Sequence, residues 1–247
     1  MIVPHDDNNR HVLITGATGG IGSALTKQFA DAGFHVSAVG RNRSALAELA
    51  RLGECIAPIE ADMADRQAAA EAFAQARAAH GPVSHIIAAA AIYPKAHFLD
   101  EGAEQLEQAL RVNVVGVANT LHEGLPEMLE RNFGRNVVFG SLADLNPLPG
   151  SIAYSVSKGA LHSLVRGIAG EIDRVRYPNV LVNEFNPGAT RTAMSTHGRD
   201  PAEIFELLTP LIACDADGPH GRFYQEGREV RIGESWKAAL KRVVLRR

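Results

Sequence analysis

The sequence predicts an α/β fold built on a parallel sheet, and three observations predict it. Short apolar runs alternate along the chain with longer stretches of helical period, the pattern of repeated βαβ units. The first apolar run feeds directly into a glycine-rich turn that opens a helix. The 247 residues are 46% hydrophobic and 21% charged, which supplies a large core and excludes a disordered chain. No internal repeat and no Pro/Gly/Ser-rich linker interrupts the pattern, so residues 1–247 read as a single domain.

Each element has its own signal. Residues 11–15 (HVLIT) form a buried strand, and 19–32 a helix whose faces are marked by Ile21, Leu25, Gln28 and Phe29 and which Gly33 ends. A second strand covers 34–39, a helix 43–52, and a third strand 55–59, ending near Ala61-Asp62. The Ala-rich helix 65–79 stops at Gly81-Pro82, and a fourth strand runs over 83–90. A long helical pattern covers 101–129, with a break near Asn113 and Pro126 near its end. A fifth strand at 136–139, a helix at 152–176, a sixth strand at 180–185, a helix at 201–213 and a short strand at 222–224 complete the chain.

Composition narrows the function classes. Lys plus Arg total 25 and Asp plus Glu 28, a net charge of -3, so nothing draws the chain to nucleic acid or an acidic membrane. Cys55 and Cys214 make no disulfide framework or zinc spacing, and the ten histidines show no HxxxH or HExxH pattern, so no metal site is expected. The first ten residues lack a signal-peptide pattern, and the longest apolar stretch, 86–93, is too short to span a bilayer. A cytoplasmic protein is expected. The tail WKAALKRVVLRR (236–247) reads as a terminal helix docking on the core or on another subunit, in preference to a membrane-surface helix.

The turn after the first strand reads TGATGGIG, Thr15 to Gly22. One glycine permits the tight turn, one lets a pyrophosphate approach the backbone, and one lets the helix pack closely on the strand. Gly16, Thr18, Gly19, Gly20, Ile21 and Gly22 are therefore candidate cofactor contacts, with the helix N-terminus offering N–H groups to phosphate. The motif lacks GK[ST], which argues against a nucleotide triphosphatase. The second strand ends in Gly40-Arg41-Asn42, and no Asp or Glu lies between 34 and 47. A carboxylate there would accept from a ribose 2′-OH. Arg41 instead offers a fork suited to a 2′-phosphate, favouring NADP(H) over NAD(H), unless it is only a solvated arginine. Asn42 is counted with it. Asp62 is either an acceptor for the adenine amino group or a helix cap, and Met63 is taken with it as cofactor-facing.

Tyr154 and Lys158 open the long helix at a four-residue spacing, which puts both on one face. A lysine ammonium ~4 Å away would contribute ~4 kcal/mol at an effective dielectric of 20 and lower the tyrosine pKa by roughly 3 units. Such a tyrosine can act as general acid to a carbonyl or general base to an alcohol. On its own, Tyr-x3-Lys carries little weight, because so short a motif also arises by chance.

Taken together, these residues resemble the classical short-chain dehydrogenase/reductase family. The matches are TGxxxGxG at 15–22, Asn113 in RVNVVG, Ser141 thirteen residues before Tyr154, Tyr154 and Lys158, and Asn186-Pro187-Gly188 followed by Thr190 and Thr192. They keep the family's order across 11–194. The resemblance implies a Rossmann-type doubly wound parallel sheet of about seven strands with helices on both faces. It implies NAD(P)-dependent interconversion of a small-molecule carbonyl and alcohol. Tyr154 would exchange the proton, Lys158 would also hold the nicotinamide ribose, and Ser141 would hydrogen-bond the substrate oxygen. Asn113 would help hold a water linking Lys158 to solvent. Pro187, Gly188, Thr190 and Thr192 would contact the nicotinamide end. Helices 101–130 and 152–176 resemble surfaces that pair in family members, so a homodimer or homotetramer is expected.

Two departures stand out. Ala88-Ala89-Ala90-Ala91 occupies the place of the family's NNAG, leaving Ala89 and Ala90 as cofactor contacts without side-chain amides. The segment after Met194 is short, and residues 218–230 are similar to the C-terminal strand region of the carbonyl-reductase-like branch. Residues 142–152, 93–98 and 192–199 should line the substrate site, much of it apolar through Leu142, Leu145, Pro147, Leu148, Ile152, Ile92 and Phe98. The alternatives are a dinucleotide-sensing protein without turnover and a sugar-nucleotide epimerase or dehydratase; 247 residues leave the latter little room for a substrate domain.

Overall fold

A computed structural model describes residues 10–101 and 103–231. The basic segment 236–247 lies outside the described residues.

Eight strands form one sheet in the order β3-β2-β1-β4-β5-β6-β7-β8. They are β1 (His11–Thr15), β2 (His35–Gly40), β3 (Ile56–Glu60), β4 (His85–Ala88), β5 (Gly134–Phe139), β6 (Val180–Asn186), β7 (Phe223–Gln225) and β8 (Arg228–Val230). The first seven pair in parallel; β8 alone runs antiparallel, against β7. Strand order reverses direction between β1 and β4, and such a switch point leaves a crevice at the carboxyl ends of the strands.

Helices cover both faces: α1 (Gly20–Asp31), α2 (Arg43–Ala50), α3 (Arg66–His80), α4 (Phe98–Glu101), α5 (Glu104–Leu110), α6 (Gly116–Arg131), α7 (Ile152–Glu171) and α8 (Ile204–Ile212). The two-residue period of the strands sorts the core into two layers. Leu13 and Ile86 join Phe73, Leu121, Met128 and Leu161 under α3, α6 and α7. Ile14 and Ile87 join Leu25, Phe29, Phe185 and Leu208 under α1 and α8. Buried on both faces, β1 and β4 read as continuous apolar runs.

Four differences from the sequence expectation bear on the site or the core. Strand β4 stops at Ala88, not residue 90. The Ala89 amide turns back to the Ile87 carbonyl, and the Ala90 amide donates to the Thr15 hydroxyl at 3.3 Å, so the chain curls over Gly16. The expected helix over 101–129 is divided into α4, α5 and α6, with a π-helical turn at Arg111–Val115 between α5 and α6 and Asn113 at its centre. The helix expected to reach 176 ends at Glu171: Ile172 is extended, and the Asp173 carboxylate accepts from the amides of Val175 and Arg176 in a separate turn. The helix expected over 201–213 begins as a 3-10 turn, Pro201–Glu203, under an Asp200/Glu203 capping box. Strand β8 was not expected. Its hairpin turn holds Glu226 and Gly227 at φ 50° and 80°, and a glutamate in that conformation gives no turn signal.

Candidate active site

A cleft of about 350 Å³ opens at the carboxyl ends of β1, β2, β4 and β5. It gathers residues that the sequence nominated from seven separate segments. Gly16, Thr18, Gly19, Gly20, Ile21 and Gly22, then Arg41 and Asn42, Asp62 and Met63, Ala89 and Ala90, Tyr154 and Lys158, Pro187, and Thr192 all line it. Gly188, Thr190, Asn113 and Ser141 are not among its lining residues, although Ser141 hydrogen-bonds Tyr154.

One end is shaped by missing side chains. Gly16 has φ 70°, and a Cβ there would lie 2.7 Å from the Ala90 Cα. A Cβ on Gly22 would collide with the Gly16 carbonyl, so α1 packs hard on the turn beneath it. Helix α1 carries no side-chain cap and no acidic residue in its first turn. Its first N–H groups and the positive end of its dipole therefore face the cleft, the arrangement that suits a pyrophosphate. Arg41 is exposed at the end of β2 on the cleft rim. Asn42 lines the cleft while capping α2, accepting from the Ala45 amide at 3.1 Å. The Asp62 carboxylate accepts from the Ala64 amide at 3.0 Å, and the N-cap of α3 is Asp65.

At the other end polar groups are buried. The first turns of α7 carry Tyr154 and Lys158 toward the end of β5. Lys158 Nζ donates to the Phe139 carbonyl at 2.6 Å and sits 5.6 Å from the centroid of the Tyr154 ring. Burial lowers the Lys158 pKa to about 8, although the Glu184 charge opposes the shift. Burial also raises the Tyr154 pKa; a hydrogen bond from Ser141 opposes this, and Tyr93 adds to it. The expected depression of the tyrosine by its lysine neighbour is therefore corrected: desolvation of the phenol outweighs it, with Lys158 Nζ donating to the Phe139 carbonyl. At neutral pH Tyr154 is a protonated phenol, with Ser141 on its oxygen and the Tyr93 ring 4.6 Å away.

Asn113 is fully buried in the π-helical turn. Its Oδ1 accepts from the Ile92 amide at 2.8 Å, and its Nδ2 donates to the Ile92 carbonyl at 3.0 Å and to Ser157 Oγ at 2.9 Å. The side chain thus ties the segment after β4 to α7. The turn after β6 is held by the Gly188 amide on Asn186 Oδ1 (3.0 Å) and by the Thr190 hydroxyl on the Gly188 carbonyl (3.3 Å). Thr192 sends its methyl over Gly20 and accepts the Met194 amide on its hydroxyl.

The expected substrate walls form an open shelf. The Ala96 amide donates to the Gly150 carbonyl at 3.0 Å, joining the two loops beside Tyr154. Leu145 and Leu148 are 60% and 65% exposed. Bridges between Thr190 and Arg199 and between Thr192 and Ser195 fold the segment after β6 into a compact loop.

Sequence reasoning missed several residues of the site. Val112 and Gly140 line the cleft. Glu184, His162 and Asp144 form a buried polar chain behind Lys158. A polar residue inside the apolar run of β6 was the available signal for Glu184.

Residues 10–202 match the short chain dehydrogenase family. The uncharacterized oxidoreductase YvrD of Bacillus subtilis is 35% identical over 185 residues, 73% of this chain and 68% of the relative. Galactitol 2-dehydrogenase (L-tagatose-forming) of Cereibacter sphaeroides is 32% identical over 217 residues, 81% of this chain and 80% of the relative. Among solved structures, a short-chain dehydrogenase/reductase (glucose/ribitol dehydrogenase) from Brucella melitensis superposes with a TM-score of 0.78 at 25% identity, covering 88% of this chain and 94% of that one. Glycine turn, buried Tyr154–Lys158 pair and family match agree: the chain belongs to the short-chain dehydrogenase/reductase family, NAD(P)-linked oxidoreductases acting on alcohol and carbonyl groups.

Proposed function

We propose that the protein is an NADP(H)-dependent reductase of uncharged, partly apolar ketones or aldehydes, with Tyr154 as general acid. The observation that carries this reading is the half-buried Tyr154 phenol with the buried Lys158 at the inner end of a cleft whose outer end is a bare helix N-terminus. The residues present fit a dinucleotide. Gly16, Gly20 and Gly22 let the turn, Thr192 and α1 pack closely round the helix N-terminus that would face a pyrophosphate, and Arg41 stands on the rim where a carboxylate would repel a 2′-phosphate.

When bound, the dinucleotide supplies the hydride. The protein's own residues do the rest. Ser141 and Tyr154 donate hydrogen bonds to the substrate oxygen, stabilising the negative charge that grows on it. Tyr154 releases its proton to that oxygen as the alcohol forms. Lys158, held against the Phe139 carbonyl, places a cation near the phenolate that remains. Asn113 holds the Ile92 backbone and the Ser157 hydroxyl, so the segment after β4 stays tied to the helix that carries Tyr154. The shelf of Leu145, Leu148 and Ile152 suits an uncharged substrate.

The exposed Val115 and Val156, on the helices expected to pair, support a homodimer or homotetramer. A panel of ketones, aldehydes and alcohols followed by NADPH absorbance tests the reading. NADPH consumption with apolar carbonyls is expected. NADH-only turnover would remove the cofactor assignment, and no turnover across the panel would remove the reductase.

A further inference from the structure

Three ionisable side chains, Asp144, His162 and Glu184, stand in a row behind the strand end that holds Lys158, and they have no part in the reaction as assigned. Glu184 sits in the middle of β6, 2% exposed. Its carboxylate lies under Gly140, the residue between the Phe139 carbonyl that takes the Lys158 proton donor and Ser141; a side chain on Gly140 would collide with it. On the far side, His162 Nδ1 lies 2.7 Å from Glu184 Oε2, and His162 Nε2 lies 3.3 Å from Asp144 Oδ1.

The geometry constrains the charges. A neutral imidazole has one N–H and one lone pair, and a lone pair aimed at a carboxylate is repelled. With a carboxylate at each ring nitrogen, only the imidazolium donates to both. Burial of His162 opposes that charge, but Glu184 and Asp144 outweigh burial and raise its pKa. Glu184 Oε1 is buried and accepts no hydrogen bond among the described residues. An ionised carboxylate left half-satisfied in the interior needs nearby cations. Burial raises the Glu184 pKa; His162 and Lys158, both from α7, pull it back toward the ionised form, while Asp144, from the segment after β5, adds to the rise. The Phe223 ring also lies against His162, edge-on at 5.0 Å.

We propose that Glu184, oriented by His162 and Asp144, is a positioning residue of the active centre: it is the buried counter-charge that holds Lys158 as an ammonium beside Tyr154. The Phe139 carbonyl fixes where the ammonium sits, but a neutral acceptor gives less reason for the proton to stay. Glu184 supplies that reason without touching the phenol. The inference rests on Tyr154 and Lys158 being the reacting pair, and it names what keeps that pair charged.

The test is NMR titration of the full chain carrying 13Cε-labelled lysine and 15N-labelled histidine, with the Lys158 signal assigned by Lys158→Arg. Glu184→Gln should lower the proton affinity of Lys158 by about tenfold or more and move the high-pH limb of turnover down with it. A Lys158 titration unmoved by Glu184→Gln overturns the proposal. The unsubstituted protein gives a second reading should that variant not fold. Both ring nitrogens of His162 should carry protons at neutral pH, and a neutral-tautomer pattern there overturns the clamp and with it the proposal. Neither titration depends on turnover. A shifted Lys158 in a protein that reduces no carbonyl would sink the assignment of the reacting pair and leave the counter-charge standing.

Discussion

The two ends of one cleft are built by opposite means. At the dinucleotide end the chain makes room: Gly16, Gly20, Gly22 and the Ala89-Ala90-Ala91 run bring backbone against backbone, and the N–H groups of α1 are left to the cleft. At the catalytic end it buries polar and charged groups: Lys158, Asn113 and Glu184 are at most 3% exposed, and each is held by named partners. The first end binds through donors that any phosphate can use. The second acts through groups whose protonation is set by desolvation and by one another. Damage to the first should therefore appear as lost affinity or stability, and damage to the second as lost turnover.

The largest expected effect lies at the charged end. Lys158→Met should reduce kcat by about 10²- to 10⁴-fold with NADPH still bound, checked by steady-state kinetics beside NADPH fluorescence titration. The same residue sets a pH limit. Its pKa is lowered from 10.5 to about 8, so it is an ammonium below that value and neutral above it. Activity that needs the cation should fall as pH rises through about 8, and a flat profile to pH ~10 would show that the cation is not needed.

Asn113→Ala strips partners from the Ile92 amide, the Ile92 carbonyl and Ser157, all at the same buried point. At about 1–3 kcal/mol for each buried group left unpaired, it should lower Tm by several degrees and reduce activity as well. An unchanged melting curve would mean that the π-helical turn does not depend on this side chain. Gly22→Ala belongs to the other end. Its new Cβ meets the Gly16 carbonyl, and a cost of about 1–3 kcal/mol should appear as weaker NADPH binding and a lower Tm, with kcat at saturation nearly kept. A collapse of kcat alone would erase the contrast between the two ends. Arg41→Asp should be the mildest for folding, since the side chain is exposed. It should reverse the NADPH/NADH preference in kcat/KM, and an unaltered ratio would take Arg41 out of the account.

The two ends also differ in how far they could be read from the sequence. The dinucleotide end lies within a few consecutive residues, and the glycine spacing after a strand carries its own physical reason, so Gly16 to Gly22 were legible directly. Tyr154 and Lys158 were legible because a four-residue spacing on a helix fixes a common face. Their electrostatics were not, because burial depends on what packs around them, and burial turned the tyrosine shift upward. Asp144, His162 and Glu184 are 18 and 22 residues apart and meet only when α7 packs on β6. Asn113 was found as a break in a helical pattern, but the π-helical turn and its tie to Ile92 come from tertiary contacts. The β7–β8 hairpin was missed because Glu226 takes a left-handed conformation that glutamate rarely signals.

The central claim is that Tyr154 gives the proton to the substrate oxygen. Single-turnover mixing of Tyr154→Phe with NADPH and a carbonyl accepted by the unsubstituted enzyme tests it most directly. The account predicts that the variant binds NADPH with near-normal affinity and consumes it at least about 10²-fold more slowly. Consumption at the unsubstituted rate would contradict it.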